Sequence, residues 1–162
     1  MAKFTLTSSA FEHGKNIPLA YTHTECGGSN ISPQLEWQNP PPMARSFVLL
    51  VDDPDAKPFH DGKTFYHWIL SYIPATIKSF PENAALDASI KPMSNDYGLE
   101  NYGGPCPPKG SGIHHYHFRL FAVDEDIPAE FTDTIEHLRE YLDDKTNTNV
   151  LGRTDLVGTY IR

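Results

Sequence analysis

The clearest hydrophobic pattern in the chain is the run SFVLLV at 46–51, in which five apolar residues follow one another. A run this short does not predict a helix, and its continuity predicts a central strand buried on both faces. The segments FYHWILSYI (65–73) and IHHYHFRLFAV (113–123) are rich in aromatic and β-branched residues and also predict strands. Shorter strands are predicted at 4–8, 17–22 and 156–162.

Helical periodicity is clear in one segment, DTIEHLREYLDD at 133–144. Asp133 and Glu136 have the spacing of a capping box, which predicts Asp133 as the N-cap. Apolar residues recur at helical spacing behind it, namely Ile135, Leu138, Tyr141 and Leu142. The pattern as a whole predicts a single, mainly β domain over residues 1–162 with one clear helix.

Composition and charge narrow the class of protein. The 162 residues are 39% hydrophobic, enough for one substantial core, and the formal net charge is −8. This charge disfavours nucleic acid and anionic membrane surfaces, which bind mainly through Lys and Arg. No apolar run has the length of a signal peptide or a membrane span, so we expect a cytoplasmic protein without integral membrane association. In a reducing compartment, Cys26 and Cys106 are expected to be free thiols.

Three neighbouring histidines, His114, His115 and His117, raise the question of a metal site. Successive strand residues point to opposite faces, so His115 and His117 share one face and His114 shares the other with Tyr116. A closed zinc site needs more ligands than two histidines. We therefore expect no metal site and no cofactor.

Polar residues within or beside the predicted strands are further candidates for a functional site. DDPDAKP at 52–58 directly follows the buried run and is typical of a turn, although polar residues in this position often line a site. His67 lies within an apolar strand. It is either a core histidine with a hydrogen-bond partner or a functional residue, and in both cases a buried imidazole needs a hydrogen-bond partner. Alternation places it on one face with Phe65 and Ile69. No G-x-S-x-G nucleophile elbow is present, and GGPCPPKG lacks the residue order of a phosphate loop.

Several motifs together resemble the phosphatidylethanolamine-binding protein family, which includes the Raf kinase inhibitor proteins, and most of all its prokaryotic-type branch. They are NISPQLEW, DPDA, HWILSYIP, YGGPCPPKGSGIHHYHFRLFAVD and LVGTY, in this order over nearly the full chain. The resemblance implies a large antiparallel Greek-key sheet packed on a smaller sheet. It also implies a small anion pocket at one end of the large sheet, with five ligand-binding positions: Asp53, His67, Pro108, His114 and Tyr116.

The resemblance suggests a non-enzymatic binding protein for phosphate-like anions or phosphoethanolamine-type head groups. Donors from His67, His114 and Tyr116 would converge on the anion, and Asp53 would orient a histidine ring. Such a protein could regulate or inhibit a partner such as a kinase or protease, and analogy suggests a homodimer. The alternative is a hydrolase of phosphoester-like substrates that uses Asp53, His67 and His114 as an acid–base set.

Overall fold

The structure is a computed structural model that describes residues 2–162. The described residues form one α-helix, α1 (Ile135–Asp143), and nine strands. Short 3₁₀ helices cover Leu19–Tyr21, Thr24–Cys26, Pro54–Phe59 and Ala129–Phe131. The strands are β1 (Thr5–Thr7), β2 (Lys15–Asn16), β3 (Leu35–Gln38), β4 (Ser46–Asp53), β5 (Phe65–Pro74), β6 (Ser79–Phe80), β7 (Lys91–Met93), β8 (His114–Val123) and β9 (Val150–Tyr160).

The strands form two sheets, as predicted. The large sheet has the order β2-β9-β8-β4-β5-β7 and the small sheet the order β1-β3-β6. All pairings are antiparallel except that of β2 with β9, which is parallel. The four edge strands are two or three residues long, and one of them, β7, contains Pro92.

Strand β4 is buried along its whole length, which confirms the prediction from its continuous apolar run. Phe47, Leu49 and Val51 point into the core between the two sheets. Val48 and Leu50 point to the other face, where α1 covers the sheet. Both faces of β4 therefore exclude water, which explains why its sequence does not alternate between apolar and polar residues.

Helix α1 begins one residue later than the predicted capping box implies. Its N-cap is Thr134, whose hydroxyl accepts a hydrogen bond from the His137 N–H at 3.1 Å. The predicted N-cap, Asp133, instead accepts from Nδ1 of His137 at 2.6 Å. The prediction of Asp133 as the cap was wrong because two adjacent residues could each cap the helix, and the threonine does so.

The strand predicted at 17–22 was also wrong. This segment contains a 3₁₀ helix, Leu19–Tyr21, that begins after Pro18. Here backbone hydrogen bonds run from Tyr21 to Pro18 and from Thr22 to Leu19, so the chain turns and does not extend.

The expectation of free thiols is overturned as well. Cys26 and Cys106 form a disulfide that joins positions 80 residues apart in sequence. Cys26 ends a short 3₁₀ helix, and Cys106 lies in the proline-rich segment before β8. The two segments come together through the fold, and their separation in sequence gave no sign of it.

No helix among residues 2–162 is both long and apolar enough to cross a membrane. Across the same residues, His, Cys, Asp and Glu side chains form no group of three or more suited to a metal ion.

Candidate functional site

Four of the predicted site residues lie at or near the adjacent ends of three strands, β4, β5 and β8. Strand β4 runs antiparallel to both β5 and β8, so its last residues lie beside the first residues of the other two. Asp53 ends β4, His67 lies near the start of β5, and His114 and Tyr116 open β8. Sheet pairing therefore brings an acid, two imidazoles and a phenol to one end of the large sheet.

A cavity of about 180 Å³ lies at this end of the sheet. All five predicted positions line it, and they are Asp53, His67, Pro108, His114 and Tyr116. The rest of the cavity wall is formed by Ala56, Phe59, His60, Phe65, Tyr97, Cys106 and Pro107. Drug-sized ligands occupy roughly 300–1,000 Å³, so this cavity suits a smaller ligand or head group.

The glycine- and proline-rich segment before β8, residues 103–108, is held against the segment 21–30 by close backbone contacts. The N–H of Gly104 donates to Oδ1 of Asn30 at 2.7 Å, and the N–H of His23 donates to the Pro105 carbonyl at 3.0 Å. Gly104 approaches this segment so closely that a Cβ there would lie 2.2 Å from the Tyr21 carbonyl oxygen. Glycine is therefore required at 104 for packing.

Both ring nitrogens of His114 are engaged. Nδ1 lies 2.6 Å from Oδ2 of Asp53, and Nε2 lies 2.9 Å from the hydroxyl of Ser111. The side chains of His114 and Asp53 are only 1% and 4% exposed. Burial raises the pKa of Asp53, and the hydrogen bond from His114 acts in the opposite direction. The backbone N–H of Asp55 also donates to Asp53, at 2.9 Å, so the carboxylate is fixed from two sides.

The Ser111 hydroxyl has two acceptors within reach, the Pro108 carbonyl at 2.6 Å and Nε2 of His114 at 2.9 Å. A hydroxyl carries one hydrogen, so it donates to one of them only. If it donates to the closer Pro108 carbonyl, Nε2 must carry a hydrogen and donate to Ser111. In both arrangements His114 has no free N–H left for a ligand.

His67 lies at a β-bulge. Val51 pairs with Trp68 and Asp52 with Tyr66, so His67 has no partner in β4. Its ring packs beside that of Tyr116, at 5.2 Å between centroids. Ile69, which alternation placed on the same face, packs instead on the helix side of the sheet. Bulges redirect side chains in this way, and the alternation rule fails at this point.

The His67 ring is held by one hydrogen bond and is deeply buried. Nδ1 lies 2.8 Å from the Gly103 carbonyl, and the residue is 3% exposed. Burial lowers the pKa of His67 to about 4, although the hydrogen bond to the Gly103 carbonyl acts to raise it. The ring is therefore neutral at physiological pH.

Tyr116 supplies a hydroxyl with no hydrogen-bond partner among residues 2–162, and its side chain lines the cavity. Burial raises the pKa of this phenol, so it remains a hydrogen-bond donor at neutral pH. The sequence led us to expect three converging donors. The geometry leaves Tyr116 as a free donor, whereas His114 is occupied and His67 is neutral.

His115 and His117 lie on the opposite face of β8 from His114, as alternation predicted. Each is paired with a carboxylate: Nδ1 of His115 lies 2.8 Å from Asp55, and Nδ1 of His117 lies 2.9 Å from Asp155. Neither histidine lines the cavity.

Several residues of the site were missed by the sequence reasoning. Ser111 was noted only as part of the loop before β8, and Phe59, Phe65 and Tyr97 were not proposed for the site. The Tyr97 hydroxyl donates to the Gly104 carbonyl at 2.8 Å, and its ring stacks on His23 at 4.7 Å. The one available signal was an aromatic residue beside a glycine, Tyr97–Gly98, in a loop rich in polar residues.

Comparison with known proteins identifies the family. The sequence profile of the family described as phosphatidylethanolamine-binding protein matches residues 7–161. The chain belongs to the phosphatidylethanolamine-binding protein family. A UPF0098 protein of Methanothermobacter thermautotrophicus, another member, is 38% identical over 97% of this chain and 98% of its own length. A UPF0098 protein of Aquifex aeolicus is 36% identical, over 96% of this chain and 86% of its own.

Solved structures of the family have the same fold. The crystal structure of Escherichia coli YbcL, described as a new member of the mammalian family, has a TM-score of 0.85. It is 30% identical, and the match covers 99% of each chain. The family homolog CT736 of Chlamydia trachomatis has a TM-score of 0.80 at 33% identity, covering 98% of this chain and 97% of its own. The chain is thus a family member of the prokaryotic YbcL and UPF0098 branch.

Proposed function

We propose that this protein is a non-enzymatic binding protein whose cavity takes small phosphate-like anions or phosphoethanolamine-type head groups. The observation that carries the proposal is the cavity itself, in which a phenol without a partner and two oriented histidines meet in about 180 Å³. Because the net charge of −8 repels anions at long range, affinity must come from these local groups.

Isothermal titration with phosphate and with phosphoethanolamine near pH 6 tests the proposal. We expect binding of at least one of them, and an affinity about tenfold lower in Tyr116→Phe, since a hydrogen bond to a charged ligand is lost. Tyr72→Phe is the matched control because Tyr72 is outside the cavity, and it should leave binding unchanged. Absence of binding by both ligands would refute the proposal.

A second candidate, a hydrolase, is favoured by one specific observation. Ser111, His114 and Asp53 are hydrogen-bonded in series, which is the arrangement of a nucleophile, a base and an orienting acid. It differs from the set expected from sequence, since Ser111 takes the place of His67. The Ser111 hydroxyl lies closer to Pro108 than to His114, and this weighs against an activated nucleophile.

Two measurements separate the hydrolase from the binding protein. A screen of phosphoesters and carboxylic esters should show no turnover above a His114→Ala variant if the protein only binds. A fluorophosphonate probe should leave Ser111 unmodified, as read by mass spectrometry. Turnover that disappears in Ser111→Ala would establish the hydrolase.

A regulatory role toward a protein partner such as a kinase or protease is part of the same proposal, and it rests on the family. Pull-down with wild type and Tyr116→Ala tests whether a captured partner depends on the cavity. Light scattering on the purified protein tests the suggested homodimer.

The prediction of a cytoplasmic location rested on the lack of an apolar run with the length of a signal peptide or a membrane span, and free cysteines were expected as its consequence. A disulfide is typical of oxidising compartments and is rare in the cytosol, so the Cys26–Cys106 bond counts against that prediction. Thiol trapping in intact cells, followed by fractionation, would determine both the location and the redox state.

A further inference from the structure

The hydrogen-bonding state of His67 determines which anions the cavity accepts. Nδ1 lies 2.8 Å from the Gly103 carbonyl, which can only accept a hydrogen bond. Nδ1 must therefore carry the hydrogen. In a neutral imidazole the other nitrogen then bears a lone pair, so Nε2 of His67 is an acceptor.

The surroundings of His67 keep this ring neutral. The residue is 3% exposed, and the rings of Phe65, Tyr97 and Tyr116 lie 4.8, 5.7 and 5.2 Å away between centroids. No carboxylate among residues 2–162 is bonded to the ring. The Gly104 carbonyl accepts from the Tyr97 hydroxyl at 2.8 Å, and the hydrogen bond of the His67 ring goes to the Gly103 carbonyl.

Nε2 of His67 has no hydrogen-bond partner among the described residues, and the ring lines the cavity. A bound oxyanion would therefore meet a donor at Tyr116 and a lone pair at His67. An oxygen without hydrogen placed against that lone pair is repelled, and the buried acceptor stays unsatisfied. An oxygen that carries hydrogen can donate to it.

We propose that the cavity selects oxyanions that carry a proton, such as phosphate or phosphonate monoanions, over oxyanions that carry none, such as sulfate and sulfonates. This rests on the proposed anion-binding function and specifies its ligand class. The protonated oxygen donates to Nε2 of His67, and an unprotonated oxygen accepts from the Tyr116 hydroxyl. The other titratable groups that face the cavity are Asp53, His60, Tyr97 and His114.

Methylphosphonate and methanesulfonate provide a matched pair of ligands. Near pH 5, below the second ionisation that phosphate esters show at about 6, both are monoanions of similar shape. They differ by one O–H. Because both are measured at one pH, Asp53, His60 and His114 have the same initial protonation in each titration. We expect methylphosphonate to bind at least about tenfold more tightly, since a sulfonate leaves the Nε2 acceptor unsatisfied.

Two variants assign the discrimination to His67. In His67→Gln the side-chain amide can present either a donor or an acceptor, so the affinity ratio should fall toward one. In Tyr116→Phe both affinities should fall while the ratio persists. Thermal melts report whether each variant folds. If His67→Gln does not fold, the affinities of the wild type for the two ligands still test the proposed selectivity.

Equal affinity of the wild type for the two ligands would overturn the selectivity and leave the anion-binding function standing. Binding of neither ligand, and none of inorganic phosphate, would overturn both. An independent check is the ring tautomer of His67 by ¹⁵N NMR, where we expect Nδ1–H. Finding Nε2–H would refute the inference without any ligand.

Discussion

Removing the disulfide between Cys26 and Cys106 should destabilise the protein strongly. A cross-link stabilises a fold mainly by restricting the unfolded chain, and the restriction grows with the length of the closed loop. The sequence separation of 80 residues corresponds to about 4.5 kcal/mol in the chain-entropy description. For a chain of this size, that free energy corresponds to a melting temperature lower by about 9–18 °C.

The assay compares thermal melts of oxidised wild type, wild type with a reductant, and the variant Cys26→Ala/Cys106→Ala. Both cysteines are partly exposed, so the reductant can reach the bond. We expect the reduced wild type and the variant to melt at similar, lower temperatures, and the variant to be insensitive to reductant. If both melted within ~2 °C of the oxidised wild type, the loop-closure reasoning would be refuted.

Three further predictions concern single residues. The pKa of His67 falls from its ordinary value to about 4 on folding, so at low pH the unfolded chain binds a proton that the folded chain does not. The free energy of unfolding should therefore fall by about 3 kcal/mol as the pH drops from 6.5 to 4. Urea titrations should show a smaller fall in His67→Gln, and equal pH dependence would contradict the buried neutral ring. Gly104→Ala places a Cβ 2.2 Å from the Tyr21 carbonyl oxygen and should lower the free energy of unfolding by about 3 kcal/mol, as measured by urea denaturation. Gly152→Ala is the control: its Cβ would lie 3.1 Å from the flexible ring of Pro41, and it should lower the free energy of unfolding clearly less. The hydrogen bond that His137 donates to Asp133 raises the pKa of His137, so its NMR titration midpoint should lie above 6.5 and decrease in Asp133→Asn. An unchanged midpoint would exclude the pairing.

Local pattern was enough to predict much of the fold. The run at 46–51 indicated a strand buried on both faces because few other short elements consist of five consecutive apolar residues. Alternation along β8 placed His114 with Tyr116, and His115 with His117, because no bulge interrupts this part of the strand. The helix was found from its periodicity, with an error of one residue at the cap.

What the sequence could not predict depends on contacts between distant segments. The bulge at His67 arises from the pairing of β4 with β5, which the sequence of β5 alone does not contain. The disulfide depends on segments 80 residues apart. The partners of His114 and His67 depend on ring orientations, so the residues of the site were predictable but their donor and acceptor roles were not.

The short edge strands of both sheets have a consequence for association. An exposed, long edge strand offers unpaired backbone groups to another chain and is a route to aggregation and amyloid. Here the four edge strands have two or three residues each, and Pro92 removes one donor from β7. Addition of a strand at these four edges is therefore disfavoured, whereas β9, which has eleven residues and pairs with β2 only at Gly158 and Thr159, keeps a longer outer edge.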